Sequence, residues 1–203
     1  MSPLEFLDAR SSVRAFDPNA KISTEEIKNI LSHAANAPSS NNFQPWKVIV
    51  IKNKAKQKIL KTFSANQKQV EDSSAVFLIF GDKSAYDIQK IMDFNLRNNI
   101  IHQDELREKI ERVTTYLQLH PEDIENEGLR FDVGLFSMNL MYVVRAFGYE
   151  SVPMRGVFFD KIMDYLNIPK TYEPILMLPV GKALQPGFPH LRYPIDEFSN
   201  IIE

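Results

Sequence analysis

Two short runs of apolar residues constrain the fold of this chain more than any other feature. The run at 47–51, where four apolar residues follow Lys47, and the run at 75–80 each have the length of a β-strand. Apolar and polar residues do not alternate within either run, so both strands are predicted to be covered on both faces. The sequence therefore indicates a central sheet enclosed by other elements.

Serine–glutamate pairs mark the starts of two helices. Ser2 with Glu5 and Ser23 with Glu26 fit capping boxes, in which each side chain bonds an amide that the helix leaves unpaired. The second helix is predicted to end before Pro38. Its predicted inward face consists of Ile27, Ile30, Leu31, Ala34 and Ala35.

Three further helices follow from the spacing of apolar residues. A helix over 54–63 is predicted to turn Ile59, Leu60 and Phe63 inward. A charged helix over 104–119 is predicted to end at His120-Pro121, with Leu106, Ile110, Val113 and Leu117 inward. The range 132–147 is apolar nearly all round, which predicts a core helix with Gly148 as its C-terminal cap.

Two later strands complete the predicted architecture. Positions 152–158 and 174–180 have strand character, and Pro179 predicts an edge or irregular strand because proline removes a ladder donor. Strands and helices do not alternate strictly, so the predicted class is α+β, with helices flanking a mainly antiparallel central sheet. No linker or repeat interrupts the chain, which predicts one domain over 1–203.

Composition excludes several classes of protein. Cysteine is absent, which excludes disulfides, thiolate metal sites and a cysteine nucleophile. We expect a cytoplasmic protein without a membrane partner, since no signal peptide and no run long enough to span a bilayer is visible. The net charge of -2 argues against nucleic acid, and the lysines between 52 and 61 are predicted to form a solvated helix face.

Histidine and glycine spacing exclude two further kinds of site. The four histidines are scattered without metal-ligand spacing, so no metal site is predicted. The seven glycines form no dinucleotide-binding or P-loop pattern. A nicotinamide cofactor would therefore bind transiently and not in a Rossmann crevice.

Two polar strings carry the chemistry of a candidate site. Arg10-Ser11-Ser12-Val13-Arg14 offers two guanidinium forks and two hydroxyls, which match phosphate oxygens, although such a string alone is more often a solvated helix end. The string at 37–46, Ala-Pro-Ser-Ser-Asn-Asn-Phe-Gln-Pro-Trp, places amides and hydroxyls between two prolines ahead of a buried strand. It is suited to contact a planar polar ring.

These strings resemble the FMN-dependent nitroreductase family, and the resemblance runs over nearly the full chain. Three further segments fit the family in the same order: 66–74 before the second core strand, Pro153-Met154-Arg155-Gly156, and Leu166-Asn167-Ile168-Pro169. Gly181-Lys182 and His190-Leu191-Arg192 close the pattern. The resemblance implies a homodimer with interlocked subunits, FMN as cofactor and NAD(P)H as transient electron donor.

The resemblance also implies a role for each matching residue, and no side chain among them is a catalytic acid or base. The FMN phosphate and ribityl chain would be bound by Arg10, Ser11, Ser12, Arg14, His190 and Arg192. The flavin ring would be contacted by Asn66 and Gln69 at its pyrimidine edge and by Met154, Arg155 and Gly156 near N5. Pro38, Ser39, Ser40 and Asn42 would reach across from the other subunit, so that each site is shared.

Three positions depart from the family pattern. Gln69 stands where some relatives have lysine, Arg155 where some have an acidic residue, and His190 where lysine is frequent. Glutamine donates a hydrogen bond but supplies no cation, which bears on the redox potential of the flavin. Extra residues at 157–158 also separate Gly156 from the usual Phe-Asp pair.

The activity implied by the resemblance is hydride transfer from NAD(P)H through flavin N5 to a nitroaromatic, quinone or similar acceptor in a ping-pong cycle. One alternative is a non-catalytic flavin carrier or interaction protein, which the departures at Gln69 and Arg155 keep open. Another is a flavin-fragmenting or dehalogenating enzyme of the same fold. That enzyme needs a lid, for which 86–128 is long enough, with Phe94, Tyr116 and Phe131 as candidate wall residues.

Overall fold

A computed structural model describes residues 2–203 and confirms the predicted α+β class. Over that range the sheet has four strands in the order β1-β2-β4-β3, and every pairing is antiparallel. The strands are β1 (Trp46–Ile51), β2 (Ala75–Asp82), β3 (Glu150–Ser151) and β4 (Tyr172–Gly181). The α-helices are α1 (Pro3–Asp8), α2 (Thr24–Ala34), α3 (Lys54–Thr62), α4 (Lys68–Asp72), α5 (Ile88–Arg97), α6 (Leu106–Leu119), α7 (Asn126–Ala146) and α8 (Phe159–Leu166).

Both predicted capping boxes are present. The amide of Glu5 donates to Ser2 Oγ at 3.2 Å, and the amide of Glu26 donates to Ser23 Oγ at 3.0 Å, with the reciprocal bonds also made. The inward face of α2 is confirmed at Ile27, Ile30 and Ala34, with Leu31 half-buried. Ala35 is exposed, contrary to the prediction, because the helix ends at Ala34 and Ala35 only caps it.

The two apolar runs differ in how fully they are covered. Every residue of β2 is buried, as predicted, because β1 and β4 flank it and helices cover its faces. Strand β1 lies at the edge of the sheet, and only Ile51 is fully buried while the other five residues are half-buried. The prediction of full cover on both faces is therefore wrong for β1.

Strand β4 is central, so the prediction of an edge strand at Pro179 is wrong, whereas the predicted irregularity is present. The N–H that Pro179 lacks would face β3, which extends only over Glu150–Ser151. On that side Val152 N–H donates to Pro179 O at 3.3 Å, but Pro179 has no N–H to donate to Val152 O in return. Past this gap Met154 and Met177 exchange backbone hydrogen bonds of 2.8 and 2.9 Å.

The predicted strand over 152–158 is also wrong. Beyond β3 the chain makes a single bridge at Met154 and then turns, and Phe158 caps helix α8. Pro153 has no amide to donate, so a continuous ladder cannot pass through this position. The segment 155–157 is therefore a turn, in which Val157 N–H donates to Arg155 O at 2.9 Å.

Helix α7 is the core helix predicted from the apolar range 132–147, and it starts six residues earlier than predicted. It buries eight side chains, among them Leu129, Phe136 and Leu140. Gly148 follows with φ of +74°, a left-handed conformation that glycine adopts without a steric penalty. Lys182 Nζ donates to Gly148 O at 2.6 Å and so closes the end of the helix.

The surface helices match the predictions less closely. In α3, Leu60 is fully buried and Phe63 is half-buried, but Ile59 is 37% exposed and faces solvent, contrary to the prediction. In α6, Val113 is buried, and Leu106, Ile110 and Leu117 pack with it against α5. No helix within residues 2–203 has both the length and the apolar character needed to cross a membrane.

Candidate functional site

The Arg10–Arg14 segment is held against the edge of the sheet. Val13 N–H donates to Ser151 O at 3.1 Å, and Ser12 forms a parallel bridge with Ser151. Val13 is 2% exposed and packs into the core, which leaves Ser12 half-buried and Arg14 exposed on the surface. Successive side chains of this extended segment point to opposite sides, so the polar side chains are directed away from the core.

The C-terminal segment returns to the same place. Asp17 N–H donates to Lys182 O and Leu184 N–H donates to Ala15 O, both at 2.9 Å. Gly187 then passes so close to the first segment that a Cβ at this position would lie 2.5 Å from Ser11 Oγ. The two ends of the chain are thus brought together without room for a larger residue.

A cationic groove of about 360 Å³ forms between these two segments. Among residues 2–203, none of the carboxylates makes an ion pair with Arg10, Arg14 or Arg192. Arg14 donates to Ser12 O at 3.2 Å, and Arg192 donates to Leu191 O at 2.8 Å, so most guanidinium donors stay available. The residues that line the groove are Arg10, Ser11, Ser12, Arg14, Phe188, Pro189, His190, Leu191 and Arg192.

The donor set of the groove fits a phosphate dianion. Guanidinium groups and hydroxyls are the usual partners of phosphate oxygens, and here they converge with no acidic residue among those that line the groove. The half-buried carboxylate of Glu150 forms an ion pair with Arg145. Burial raises the pKa of Glu150, and the charges of Arg145 and Arg10 act in the opposite direction.

A second cavity, of about 470 Å³, continues from the groove toward apolar side chains. It shares Arg10, Ser12, His190 and Arg192 with the groove. Its other lining residues are Leu7, Asp8, Met138, Met141, Tyr142 and Pro153. Phosphate donors therefore lie beside an apolar floor, an arrangement suited to a phosphorylated ligand that also carries a flat ring.

The side chains of Gln69 and Met154 are in contact. Gln69 is 7% exposed, and its Nε2 donates to Gln67 Oε1 at 2.7 Å and lies 3.8 Å from Met154 Sδ. Asn66, three residues before Gln69, is exposed and has φ of +56°, a left-handed conformation that asparagine tolerates. The structure thus brings two of the predicted ring-contacting residues, Gln69 and Met154, together.

The loop that carries Ser39, Ser40 and Asn42 is held by acidic side chains that are distant from it in the sequence. Its backbone includes three left-handed residues: Asn41, Asn42 and Gln44 with φ of 44°, 60° and 53°. Ser40 N–H donates to Asp132 Oδ1 at 3.0 Å, and Ser40 Oγ donates to Asp123 Oδ2 at 3.2 Å. Ser39 Oγ accepts the amide of Gln44 at 3.0 Å.

Sequence reasoning missed Asp132, Asp123 and Tyr86 as parts of this anchor. Tyr86 Oη donates to Asp132 Oδ2 at 3.0 Å, and Tyr116 Oη donates to Asp123. Burial raises the pKa of Asp132, while the bonds from Ser40 and Tyr86 lower it. A carboxylate inside an otherwise apolar helix was the signal available in the sequence, because a buried acid requires partners.

Within one chain, Pro38 lies away from the cationic groove. It lines an open apolar cavity of about 700 Å³ along α7, together with His33, Ala37, Leu135, Tyr142 and Phe147. Tyr142 and Met138 line both this cavity and the one beside the groove. The loop that begins at Pro38 is thus separated from Arg10 and Arg14 by the exposed side of α7.

Arg155 and Gly156 occupy the turn after Met154, and both are exposed. Arg155 lines a cavity of about 350 Å³ with Arg130, Gly134, Phe159, Pro174, Ile175 and Leu176. A Cβ on Gly156 would have no neighbour within 4 Å, so no close packing at this point requires glycine.

Comparisons with known proteins identify the family of the chain. A family model described as "Nitroreductase family" matches residues 7–182. A crystal structure of a nitroreductase-like protein from Streptococcus mutans is 58% identical, covers 98% of each chain and has a TM-score of 0.96. A structure from Exiguobacterium sibiricum, described as a "putative nitroreductase in complex with FMN", is 34% identical, covers 100% of this chain and 98% of that chain, and has a TM-score of 0.90.

Two curated relatives carry functional names. "Putative NAD(P)H nitroreductase YdgI" of Bacillus subtilis (strain 168) is 36% identical over 95% of this chain and 94% of its own length. The "CLA biosynthesis enone reductase" of Lactiplantibacillus plantarum is 32% identical over 91% of this chain and 87% of its own length. The chain belongs to the nitroreductase family, as the resemblance predicted, and is an oxidoreductase of that family.

Proposed function

We propose that this protein is an FMN-dependent oxidoreductase that takes hydride from NAD(P)H and reduces a nitroaromatic, a quinone or a similar small acceptor. The observation that carries the proposal is the cationic groove with its adjoining apolar floor. Three arginines that make no ion pair within residues 2–203 converge there with two serine hydroxyls and His190, beside Pro153 and Met138. Such a site matches a cofactor that joins a phosphate to a flat ring.

The residues at the groove fit FMN. Arg10, Arg14 and Arg192 would hold the phosphate, with Ser11, Ser12 and His190 as further partners. Gln69 would donate to the pyrimidine edge and Asn66 would lie near it, while Met154, Arg155 and Gly156 would lie near N5 of the ring. Bound there, FMN would supply hydride chemistry, accepted from NAD(P)H and passed to the acceptor in a ping-pong cycle.

The residues of the chain would bind FMN, position its ring and shield it from solvent. Gln69 is a neutral donor, so it would stabilise negative charge on the ring less than a lysine would. No pair of nucleophile and base is assigned, since the proposed reaction needs none. The nicotinamide and the acceptor would occupy the same open face in turn.

A homodimer would complete the site. Pro38, Ser39, Ser40 and Asn42 lie away from Arg10 in the same chain, as expected if they serve the site of the partner subunit. The segment after β4 exposes large apolar side chains, including Leu184 at 63%, Phe188 at 77% and Ile202 at 90%. Several large apolar side chains exposed along one segment favour an interface, here with a second copy of the chain.

The proposal is tested by the visible spectrum of the purified protein under anaerobic conditions, before and after NADPH and then NADH. We expect a flavin spectrum that bleaches with at least one donor and recovers with a quinone, a nitro compound or an enone. Stopped-flow traces should contain reduced flavin free of nicotinamide, as a ping-pong cycle requires. Sedimentation analysis should give twice the chain mass.

Other outcomes identify the alternatives. Oxidised flavin that does not bleach with either donor would favour the non-catalytic carrier. Strict dependence on a halogenated phenol or on oxygen would favour the dehalogenating or flavin-fragmenting enzymes. A colourless protein that does not take up FMN would contradict the proposed function.

The proposal also includes a cytoplasmic location, supported by the absence of cysteine.

A further inference from the structure

A cavity beside the turn at Arg155 has the chemistry of an anion site. It has a volume of about 350 Å³, near the lower end of the range for small-molecule pockets. Two guanidinium groups, those of Arg130 and Arg155, face the cavity, and its walls are otherwise apolar. Gly134 contributes no side chain, and a Cβ there would have no neighbour within 4 Å, so the cavity stays open on that side.

The two arginines differ in their pairing. Arg130 donates through both Nε and Nη2 to the same oxygen, Oε1 of Glu173. The guanidinium of Arg155 makes no hydrogen bond or ion pair with any group within residues 2–203. Two guanidinium groups therefore line the cavity, and within residues 2–203 only that of Arg130 is paired with a carboxylate. A planar fork of this kind is matched by a carboxylate, which it binds through two parallel hydrogen bonds.

The walls favour the body of a flat, conjugated molecule. Phe159 offers an aromatic face, and Ile175 and Leu176 from β4 add an aliphatic surface. A carboxylate on Arg155 would place the rest of its molecule against these side chains. A neutral acceptor of the same shape would gain only the apolar contact.

Arg155 directly follows Met154, whose sulfur contacts Gln69, and Pro153 lines the cavity beside the cationic groove. The Arg155 cavity is thus adjacent to the proposed position of the flavin ring. We propose that it binds the carboxylate of the electron acceptor, so that the preferred acceptors are planar conjugated acids. This inference rests on the proposed function, because it assigns a substrate class to the same site.

The test compares two acceptors that differ in charge, 4-nitrobenzoate and 4-nitrobenzyl alcohol, with the FMN-loaded enzyme and a fixed NAD(P)H concentration. The measured quantity is the ratio of kcat/KM for the acid to that for the alcohol. In Arg155→Gln this ratio should fall by about tenfold or more, chiefly through KM, because a charge-assisted bond is lost. Arg155→Lys should retain part of the preference.

A matched control removes one positive charge elsewhere. Lys56 is an exposed residue of α3, and Lys56→Gln should leave the acid-to-alcohol ratio unchanged. A second readout needs no turnover: benzoate is titrated into the oxidised holoprotein and its Kd is taken from the change in the flavin spectrum. Arg155→Gln should raise this Kd by about tenfold.

Three results would overturn the inference. An equal acid-to-alcohol ratio in wild type and Arg155→Gln, with equal benzoate affinity, would exclude the carboxylate site. A fall confined to the KM for NADPH, with NADH and both acceptors unaffected, would assign Arg155 to the donor phosphate. A fall in the ratio as large in Lys56→Gln would indicate a general charge effect. If the flavin does not bleach with NAD(P)H, the proposed function fails, and the benzoate titration still decides the site.

Discussion

Asp132 accepts the backbone N–H of Ser40 at 3.0 Å, although 92 positions separate the two residues. The carboxylate of Asp132 is only 2% exposed, and its second oxygen accepts the hydroxyl of Tyr86. The bond fixes a loop with three left-handed residues onto the core helix α7. That loop carries Ser39, Ser40 and Asn42. The bonds to Asp132 therefore fix the conformation of the segment that, in the proposed homodimer, would contact the flavin of the partner subunit.

Removing the carboxylate should loosen this loop. Asp132→Ala leaves the Ser40 amide and the Tyr86 hydroxyl without acceptors, and we expect the free energy of unfolding to fall by about 2 kcal/mol or more. The affinity for FMN should fall as well. Urea unfolding of the apoprotein and FMN titration measure the two effects. Tyr86→Phe is the control, because it removes one donor and keeps the Ser40 bond; equal losses in both variants would contradict the anchoring role.

Asp132 should also make stability depend on pH in an unusual direction. Burial raises its pKa above the ordinary value of 3.8, so the folded state holds the proton more tightly than the unfolded state. The contribution of Asp132 to stability is therefore largest at low pH and declines as pH rises from 3.8 through the raised pKa. The difference in unfolding free energy between wild type and Asp132→Asn, measured between pH 4 and 7, should show this decline.

Glu26 provides the opposite case in the same protein. Hydrogen bonds from the backbone and side chain of Ser23 lower its pKa below 4.5, with a further contribution from Tyr149. Its contribution is present above pH 4.5 and is lost as pH falls through the lowered pKa. The difference between wild type and Glu26→Gln should therefore shrink on acidification. Slopes of the same sign for Glu26 and Asp132 would contradict one of the two assignments.

Two glycines of helix α7 should respond oppositely to the same substitution. A Cβ on Gly128 would lie 2.2 Å from the carbonyl oxygen of Asp123, so Gly128→Ala must push that turn away. We expect a loss of about 1–3 kcal/mol in the free energy of unfolding. Gly134 has no such neighbour, and Gly134→Ala should gain about 0.5–1 kcal/mol from helix propensity. Urea unfolding of both variants checks the contrast, which equal shifts would refute.

The cationic groove should distinguish FMN from riboflavin, which lacks the phosphate. Arg14→Gln should raise the Kd for FMN by about tenfold to a hundredfold, because a charge-assisted contact is lost, and should change riboflavin binding far less. Fluorescence titration of the apoprotein with each ligand measures the effect. Arg97→Gln, at an exposed position of α5, is the matched control. An equal loss for both ligands would place Arg14 away from the phosphate.

Local sequence patterns were sufficient for some parts of the fold. The capping serines bond partners three residues away, so the two helix starts depend on little beyond their own sequence. The complete burial of β2 also followed from its run of apolar residues. Ile59 and β1 were predicted incorrectly because apolar character does not state which surfaces are covered, and an edge position leaves β1 half-open.

The candidate site divides in the same way. The sequence by itself determined the residue types that can bind phosphate, together with the strings at 10–14 and 37–46 that carry the family resemblance. Only the tertiary structure brought 187–192 against 10–14, joined Ser40 to Asp132 and left the Arg155 guanidinium without a partner within residues 2–203. The physical reason is range: hydrogen bonds within one turn follow from neighbouring residues, whereas contacts across the chain exist only after the sheet and helix α7 have packed.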